Sequence, residues 1–490
     1  MRLLRERMKY MAMLENINPK DVFEYFEEIC AIPHGSGDMQ KIGKYCIEFV
    51  KKHSLRYMCD DAGNVVIYKG ASTGYENSET VILQGHLDMV CQKNADCNID
   101  FSKDGLDIYT DGDFVKARGT TLGADNGIAV AMIMAILADD SLPHPPIEAV
   151  FTADEEVGMI GASKLDMSCL KGKKMINIDS EDEDIITVSC AGGSEFAIKI
   201  PVIREEAKGE TVIVTISGLQ GGHSGVEIDK GRVNANVLMA RIINYVRKAV
   251  DFDIADIGGG DKSNAIPVYA RAVLVTKQAH RLIDELKKYG AVIREEISSR
   301  EPEFEMQTEM SEGTASYVMT KETEETLINV LLCSPNGIME MSADIPNLVE
   351  TSLNLGILKC SDDEVEICFA LRSSMKSALS HLEDRLFLLC RTLNCTCETS
   401  GHYPPWEYNK NSRLRELYSG ILAAKIGKTP KIEAIHAGLE CGVFADGIDG
   451  LDCISVGANM YDIHTTAERL SISSTARVYE VIREVLKQLK

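Results

Sequence analysis

The chain has 490 residues, of which 45% are hydrophobic and 26% charged, and this composition argues against a disordered or fibrous protein. Lys and Arg total 52 against 75 Asp and Glu, so the formal net charge of −23 excludes nucleic acid and anionic membrane surfaces as expected partners. A chain of this length exceeds the size at which one hydrophobic core keeps growing, so we expect at least two domains.

The cellular compartment can be predicted from the cysteines and from the first residues. The 15 cysteines include no CxxC pair, which favours reduced thiols over a disulfide framework. The N-terminal segment MRLLRERMKYMAML is basic but lacks an apolar run of signal-peptide length, and no uncharged stretch of ~18 residues occurs anywhere. We therefore predict a cytoplasmic protein.

The first section of the chain alternates helix and strand patterns. Amphipathic periodicity predicts helices, and short apolar runs predict strands. This order is typical of an α/β layer whose strand ends carry polar residues. The predicted elements are helices at 21–30, 39–53 and 126–138 and strands at 80–84, 147–152 and 174–178.

From about Ser189 the pattern becomes rich in β-strand signals, and it returns to α/β at about Ser400. The middle section contains the runs FAIKIPVI and ETVIVTISG, a long helix at 232–250 and a glycine turn at 258–260. We predict a discontinuous α/β catalytic domain, residues 1–188 and 400–490, interrupted by an inserted α+β lid or dimerisation domain, residues 189–399. The other predicted elements are helices at 281–298, 321–332, 413–426 and 475–489 and strands at 268–275, 364–371, 431–435 and 453–456.

Residues that can bind metal lie just after predicted strands at five places. Imidazole and carboxylate groups are zinc ligands, and two zinc ions ~3.5 to 4 Å apart need a carboxylate that bridges them. Two histidines and three acidic residues would satisfy such a pair. The five places contain His86 and Asp88 in QGHLDMV, Asp125 in TTLGADNG, Glu155 and Glu156 in FTADEEVG, Asp179 in INIDSEDED, and His464 in YDIHTTAE.

Each of these motifs is weak evidence alone, because a lone histidine is more often structural and a Glu-Glu pair usually lies in solvent. Glu155 and Glu156 differ, since they follow the apolar run IEAVFTA and precede two glycines. Neighbouring residues at a strand end can point in different directions, so one carboxylate can bind metal while the other handles protons. The SEDED run at 180–184 we interpret as a charged, solvated loop.

The order HLD, GADNG, DEEVG, NIDS and IHTT resembles the cocatalytic two-zinc peptidase family related to aminoacylase and carboxypeptidase G. Further motifs that carry the resemblance are AIPHGSGD, GLQGGHSGVEI, NAIP at Asn264 and HAGLECG at His436. The similarity extends over nearly the whole chain. It is strongest to the members that cleave aminoacyl-histidine (Xaa-His) dipeptides such as carnosine.

The resemblance implies a role for each metal-type residue. It implies that Glu155 is the general base and that Asp88 orients the imidazole of His86 through its second nitrogen. It also implies a cis peptide bond between Asp125 and Asn126. The implied metal ligands are Asp125 as the bridge, His86 and Asp179 on one zinc ion, and Glu156 and His464 on the other.

The inserted domain is expected to carry the residues that recognise the substrate. By resemblance, His223 in GGHSG stabilises the oxyanion, and Arg372 and Asn264 hold the terminal carboxylate of the substrate. Glu440 in HAGLECG is expected to contact the substrate ammonium group. Because the lid must bring His223 to the metal ions, we expect open and closed forms.

We therefore expect metal-dependent hydrolysis of dipeptides, Xaa-His dipeptides among them, by a zinc-bridged water. A broader aminopeptidase or an N-deacylase is the alternative, because the same core serves many amide substrates. A non-catalytic metal-binding protein is disfavoured by the presence of Glu155. We expect two Zn²⁺ ions per subunit, with Mn²⁺ or Co²⁺ as other options, a small peptide as substrate, and a homodimer.

Overall fold

The computed structural model describes residues 13–313 and 315–490, so residues 1–12 of the N-terminal segment lie outside it. The described chain divides into two compact units. The first unit contains the residues up to Ser189 together with Tyr408–Ala434 and Leu439–Lys490, and the second contains Cys190–Glu407 and Ile435–Gly438.

The first stretch of the chain builds most of the first unit. Its helix α3 is apolar around its whole circumference and is buried, as expected for a helix inside an α/β unit. The helices are α1 (Lys20–Cys30), α2 (Gln40–Lys52), α3 (Ala124–Ala138) and α4 (Ile160–Lys164). The strands are β1 (Arg56–Cys59), β2 (Val65–Lys69), β3 (Val81–His86), β4 (Ile108–Asp111), β5 (Phe114–Ala117), β6 (Ile147–Thr152), β7 (Lys174–Asn177) and β8 (Ile185–Cys190).

The second unit follows along the chain and is an α+β structure. Its helices are α5 (Ala235–Val246), α6 (Ala279–Ile297), α7 (Lys321–Cys333) and α8 (Lys376–Thr392). Its strands are β9 (Gly192–Pro201), β10 (Arg204–Glu206), β11 (Glu210–Ser217), β12 (Gly222–His223), β13 (Asp253–Gly259), β14 (Ala265–Ile266), β15 (Ala270–Thr276), β16 (Glu305–Met310), β17 (Tyr317–Met319), β18 (Gly337–Met341), β19 (Val349–Cys360), β20 (Glu364–Ser373) and β21 (Thr396–Tyr403).

The last stretch of the chain returns to the first unit. Its helices are α9 (Arg413–Ile426), α10 (Glu440–Gly447) and α11 (Ile472–Gln488). Its strands are β22 (Lys431–Ile435), β23 (Asp452–Ser455), β24 (Met460–Tyr461) and β25 (Arg469–Ser471). No helix in the described ranges is both long and apolar enough to cross a lipid bilayer.

The first unit is organised around a sheet of eight strands in the order β1-β2-β6-β3-β7-β23-β8-β22. Its central strands β6, β3, β7 and β23 are parallel. The carboxyl ends of parallel strands lie at one edge of a sheet, where α/β proteins place functional residues. A separate sheet of four strands has the order β24-β25-β5-β4.

The second unit contains an antiparallel sheet in the order β16-β11-β15-β13-β19-β20-β9-β21, with β18 also paired to β19. Its core is made mainly of aliphatic and aromatic residues from these strands and from α5 to α8. The two-residue strands β12 and β14 pair separately, with His223 opposite Ala265.

Most predicted elements are present, with two corrections. Gly258 and Gly259 lie in β13 rather than in a turn, and only Gly260 has a positive φ, of 73°. The second domain boundary was predicted at residue 400, but β21 pairs with β9 as far as Tyr403, so the second unit continues to Glu407. The cross-strand hydrogen bonds of β21 are the reason, because they hold this strand in the sheet of the second unit.

Candidate active site

Three parallel strands of the first unit end beside one another, and their ends carry acidic and imidazole groups. His86 is the last residue of β3, Glu155 and Glu156 follow β6, and Asp179 follows β7. Asp125 lies in the first turn of α3, where its ψ of 101° is not helical, and a cis peptide bond joins it to Asn126, as predicted.

Asn126 links the strands that carry two of these groups. Its side-chain oxygen accepts a hydrogen bond from the backbone N–H of His86 at 3.1 Å. Its amide nitrogen donates to the carbonyl of Ile178, next to Asp179, at 2.6 Å. The buried Asn126 side chain therefore fixes the spacing between the ends of β3 and β7.

The carboxylate of Asp125 lies between two imidazoles. Its Oδ1 is 3.2 Å from Nε2 of His86, and its Oδ2 is 3.1 Å from Nε2 of His464. Each imidazole nitrogen also faces a second carboxylate, since Asp179 Oδ1 is 3.4 Å from His86 and Glu156 Oε1 is 2.9 Å from His464. The five side chains therefore form two sets of donors that share Asp125, and atoms of His86, Asp125 and Glu156 lie within 4.8 Å of one another.

Asp88 supports both the imidazole and the two glutamates. Nδ1 of His86 lies 3.0 Å from the backbone oxygen of Asp88 and 3.4 Å from its carboxylate. The carboxylate accepts hydrogen bonds from the backbone N–H groups of Glu155 at 2.9 Å and Glu156 at 3.2 Å, and from the hydroxyl of Ser36 at 2.8 Å. Asp88 thus also sets the turn that carries Glu155 and Glu156, a role that sequence reasoning missed.

The protonation of these groups reflects a concentration of negative charge. Burial, together with the negative charges of Asp179, Glu440 and Glu156, raises the pKa of Glu155 to about 9 against the lowering effect of His86. Hydrogen bonds that His464 donates to the carboxylates of Asp125 and Glu156 raise the pKa of this imidazole to about 10. Five carboxyl groups surround the imidazoles of His86 and His464, namely those of Asp88, Asp125, Glu155, Glu156 and Asp179. The cluster therefore has the charge and the donor atoms that divalent cations require.

Glu440 is fully buried in the first unit. Its Oε2 accepts hydrogen bonds from Gln84 Nε2 at 2.6 Å and from the hydroxyl of Thr152 at 2.7 Å. Gln84 also accepts a hydrogen bond from Asn177 at 2.5 Å. Burial raises the pKa of Glu440 to about 7. The Glu440 side chain therefore links β3 to β6 directly and β7 through Gln84, close to the carboxyl ends of these strands.

The second unit brings His223, Asn264 and Arg372 together. Asn264 precedes β14 and its carbonyl accepts a hydrogen bond from the N–H of Ser224, the residue after His223, at 2.9 Å. A side chain on Gly225 would lie 2.9 Å from Cε1 of His223 and 3.1 Å from Nε of Arg372, so this glycine keeps the space between them free.

The hydrogen bonds of His223 define its tautomer. Its Nδ1 accepts from the backbone N–H groups of Gly225 at 3.1 Å and Val226 at 3.2 Å. Burial lowers the pKa of this imidazole, and the charge of Arg372 lowers it further. The ring is therefore neutral, with its proton on Nε2, and can donate a hydrogen bond from that atom.

Arg372 is only 9% exposed, and its guanidinium group has no acidic partner among the described residues. It donates to the hydroxyl of Tyr403 at 2.9 Å, while its Nε is buried without a hydrogen bond. Beside it, His436 bonds to the hydroxyl of Ser352 at 2.7 Å, and burial lowers the pKa of His436 to about 3. A buried guanidinium without an acid is suited to a carboxylate ligand.

Sequence reasoning assigned no role to Ser36, Tyr403 or His436, although Ser36 lies in the motif AIPHGSGD and His436 in HAGLECG.

The SEDED run at 180–184 was interpreted as a solvated loop, and this interpretation is wrong for Glu183. Glu183 is only 13% exposed and forms two hydrogen bonds with Arg477, at 2.8 and 2.6 Å. The ion pair anchors this loop to α11, which a charge pattern alone does not reveal.

A sheet whose four central strands are parallel, with a metal-type cluster at their carboxyl edge, is typical of a metal-dependent hydrolase. A sequence model of peptidase family M20/M25/M40 matches residues 82–488. The chain belongs to this family and is a metallopeptidase.

Three similar proteins match almost the whole chain, two of them with more than 30% identity. The cytosol non-specific dipeptidase of Escherichia coli (strain K12) is 36% identical over 485 residues, which is 98% of this chain and 99% of the relative. The crystal structure of aminoacylhistidine dipeptidase from Vibrio alginolyticus has a TM-score of 0.92 and 33% identity and covers 99% of both chains. Aminopeptidase PepT from Bacillus cereus ATCC 10987 shares the fold, with a TM-score of 0.56 and 15% identity over 96% of this chain and 99% of PepT.

Proposed function

We propose that the protein hydrolyses unblocked dipeptides, Xaa-His dipeptides among them, with two divalent metal ions. The observation that carries the proposal is the position of Asp125, whose two oxygens face the imidazoles of His86 and His464. The names of the Escherichia coli and Vibrio alginolyticus relatives, both dipeptidases, support the substrate class.

The donor set fits two zinc ions. Asp125 would be shared, His86 and Asp179 would hold one ion, and Glu156 and His464 would hold the other. When bound, such ions would lower the pKa of the attacking water and polarise the carbonyl of the substrate. Imidazole and carboxylate ligands also accept Mn²⁺ or Co²⁺, so zinc is our proposal on the basis of ligand type.

Glu155 is the group that moves the proton. It is not among the proposed ligands, and Asp88 holds its backbone at the edge of the cluster. The charge of two bound cations would lower the raised pKa of Glu155 and so favour its ionised form. As a base it takes a proton from the attacking water while the new C–O bond forms. It then returns that proton to the nitrogen as the C–N bond breaks, so the amine leaves neutral. The Nε2 proton of His223 supplies a hydrogen bond to the oxyanion.

The terminal carboxylate of the dipeptide is the proposed partner of Arg372 and Asn264. A carboxylate can satisfy the guanidinium bidentately, including the buried Nε that has no hydrogen bond with any described residue. An added C-terminal residue would displace this carboxylate, which limits the substrate to two residues. The ammonium contact expected for Glu440 needs an accessible oxygen, but Glu440 is fully buried, so its proposed role is to hold Gln84 and Thr152.

The test is a comparison of kcat/KM for Ala-His, β-alanyl-histidine, Ala-Leu, Ala-His-amide and Ala-His-Ala with zinc as the only added metal. Amidation should lower kcat/KM ~100-fold or more, because it leaves the buried guanidinium unpaired. Arg372→Met should abolish the difference between Ala-His and its amide. Arg271→Met is the control, because Arg271 lies in the same unit but is 38% exposed and pairs with Asp256.

Each alternative function has its own outcome in this panel. Equal rates on Ala-His and its amide would reject the carboxylate anchor, and preferred cleavage of Ala-His-Ala would favour a broader aminopeptidase. Acetyl-histidine is added as a sixth compound, and its preferred cleavage would indicate an N-deacylase. A protein that binds two zinc ions and cleaves none of these compounds would be a non-catalytic binder.

We also propose a cytoplasmic location and a homodimer. Cell fractionation tests the location, and light scattering tests the oligomeric state.

A further inference from the structure

Glu468 lies four residues after His464, and its side chain is only 3% exposed although its neighbours Thr465 and Ala467 are exposed. Among the described residues, no lysine, arginine or histidine forms an ion pair with it. Burying a carboxylate without a cation is costly unless hydrogen bonds satisfy its oxygens. The contacts of Glu468 therefore indicate what this residue does.

The carboxylate accepts hydrogen bonds from four consecutive backbone N–H groups. Oε2 accepts from Leu122 at 2.6 Å and Gly123 at 3.1 Å, and Oε1 accepts from Ala124 at 2.8 Å and Asp125 at 3.4 Å. Consecutive N–H groups converge in this way because Gly123 has a φ of 66°, in the left-handed region. The first N–H groups of a helix have no partner inside the helix, and Glu468 supplies one.

These hydrogen bonds join two segments of the chain that are about 340 residues apart. One segment ends in Asp125, the carboxylate that faces both imidazoles, and the other begins with His464. Fixing the backbone of Asp125 relative to that of His464 limits how far either side chain can rotate away from the other. A displacement of this backbone would affect both sets of donors, since Asp125 belongs to both.

We propose that Glu468 is a positioning residue that aims Asp125 and thereby sets the affinity of both metal ions together. It acts through the backbone at residues 122–125 and contacts neither metal nor substrate. This inference rests on the proposed role of Asp125 as the shared ligand. Partners of metal ligands outside the coordination sphere typically change metal affinity by ~10- to 100-fold.

The test is a zinc titration of the apoprotein against a competing chelator, which gives the two stepwise dissociation constants. In Glu468→Gln one oxygen becomes an NH2 group, so some of the four N–H groups lose their acceptor at almost unchanged volume. We expect both constants to increase together by ~10- to 100-fold. Glu156→Gln, by contrast, should raise mainly one of the two dissociation constants, because the Glu156 carboxylate contacts His464 and not His86.

Glu148→Gln is the matched control. Glu148 is also buried in the first unit, 4% exposed, and accepts hydrogen bonds from the backbone N–H groups of Lys171 and Gly172, away from the cluster. This variant should lose stability in the apo form and keep both zinc constants within about twofold, as expected for a residue that supports only its own loop. If Glu468→Gln behaves in the same way, Glu468 is merely structural and the proposal is overturned.

Asp125→Asn separates this inference from the proposed function. If Asp125→Asn raises both dissociation constants for zinc and Glu468→Gln raises neither, only the inference fails. If Asp125→Asn keeps both constants, the shared ligand is wrong, and the inference falls with it because Glu468 is said to act through Asp125. Should Glu468→Gln not fold, Glu468→Asp is titrated instead, because it keeps the charge but shortens the reach, and it should raise both constants in parallel.

Discussion

Glu155 and Glu156 are adjacent in the chain, and their backbone N–H groups bind the same carboxylate, that of Asp88. Their side chains nevertheless have different surroundings. Glu156 is 8% exposed and contacts Nε2 of His464, whereas no hydrogen bond is found for the carboxylate of Glu155 with any described imidazole. The two neighbouring carboxylates thus have different partners, which is the basis of the roles proposed for them.

The corresponding prediction concerns their amide variants. Glu155→Gln should keep both metal ions and lower kcat by ~100- to 10,000-fold, because the amide cannot take a proton. Glu156→Gln should instead lower metal occupancy, because an amide oxygen is a weaker ligand than a carboxylate. Metal analysis and kcat, measured on the same preparations, decide the question. Loss of zinc from the Glu155 variant would contradict this division of roles.

The segment that carries His223 is an element whose backbone determines the chemistry of its side chain. Gly221 has a φ of 62° and Gly222 a φ of 140°, and a side chain at Gly222 would collide with Arg232 and Glu227. The pairing of β12 with β14 then places His223 opposite Ala265, so that the turn presents two N–H groups to Nδ1. The turn leaves Nε2 as the donor.

For this segment we predict that His223→Ala lowers kcat by ~100-fold or more while metal content is unchanged, as for the loss of one oxyanion donor. His381→Ala is the control, because His381 lies exposed on α8 of the same unit. Rates and zinc content of both variants are measured with Ala-His. If the His223 variant retains a rate within threefold of the wild type, its role is structural.

For the whole molecule, the charge cluster couples metal binding to the stability of the first unit. Five carboxyl groups share the site with two imidazoles, so removal of the ions leaves like charges close together. A ligand that binds only the folded state stabilises it by about 2.7 kcal/mol at 100 times its dissociation constant. Zinc should therefore stabilise the first unit strongly.

We predict that chelation lowers the unfolding temperature and that zinc restores it in a concentration-dependent manner. Hydrogen exchange followed by mass spectrometry should locate the effect. Peptides that contain β3, residues 122–126 and residues 464–468 should exchange faster in the apoprotein, while peptides from β20 in the second unit should not change. Equal changes in both units would contradict a metal site confined to the first unit.

The sequence by itself predicted the elements with strong local patterns and the types of residue in the site. The bounds of β6, α9 and β22 agree with the predictions, because apolar periodicity and flanking breakers are local properties. Most of the metal-type residues could be found in the same way, since His86, Glu155, Glu156 and Asp179 end or follow an apolar strand and Asp125 begins a helix. Family resemblance then supplied their order and the cis bond at Asp125.

Only the tertiary structure decided which atoms meet. Contacts between residues far apart in the chain build the site. Asp125 contacts both His86 and His464, Glu440 accepts a hydrogen bond from Gln84, and Glu468 accepts one from Leu122. The same holds for β21, whose pairing with β9 moved the domain boundary. A local pattern reports which face of an element is apolar, whereas these contacts depend on how the whole sheet is assembled, and no segment of the sequence contains that information alone.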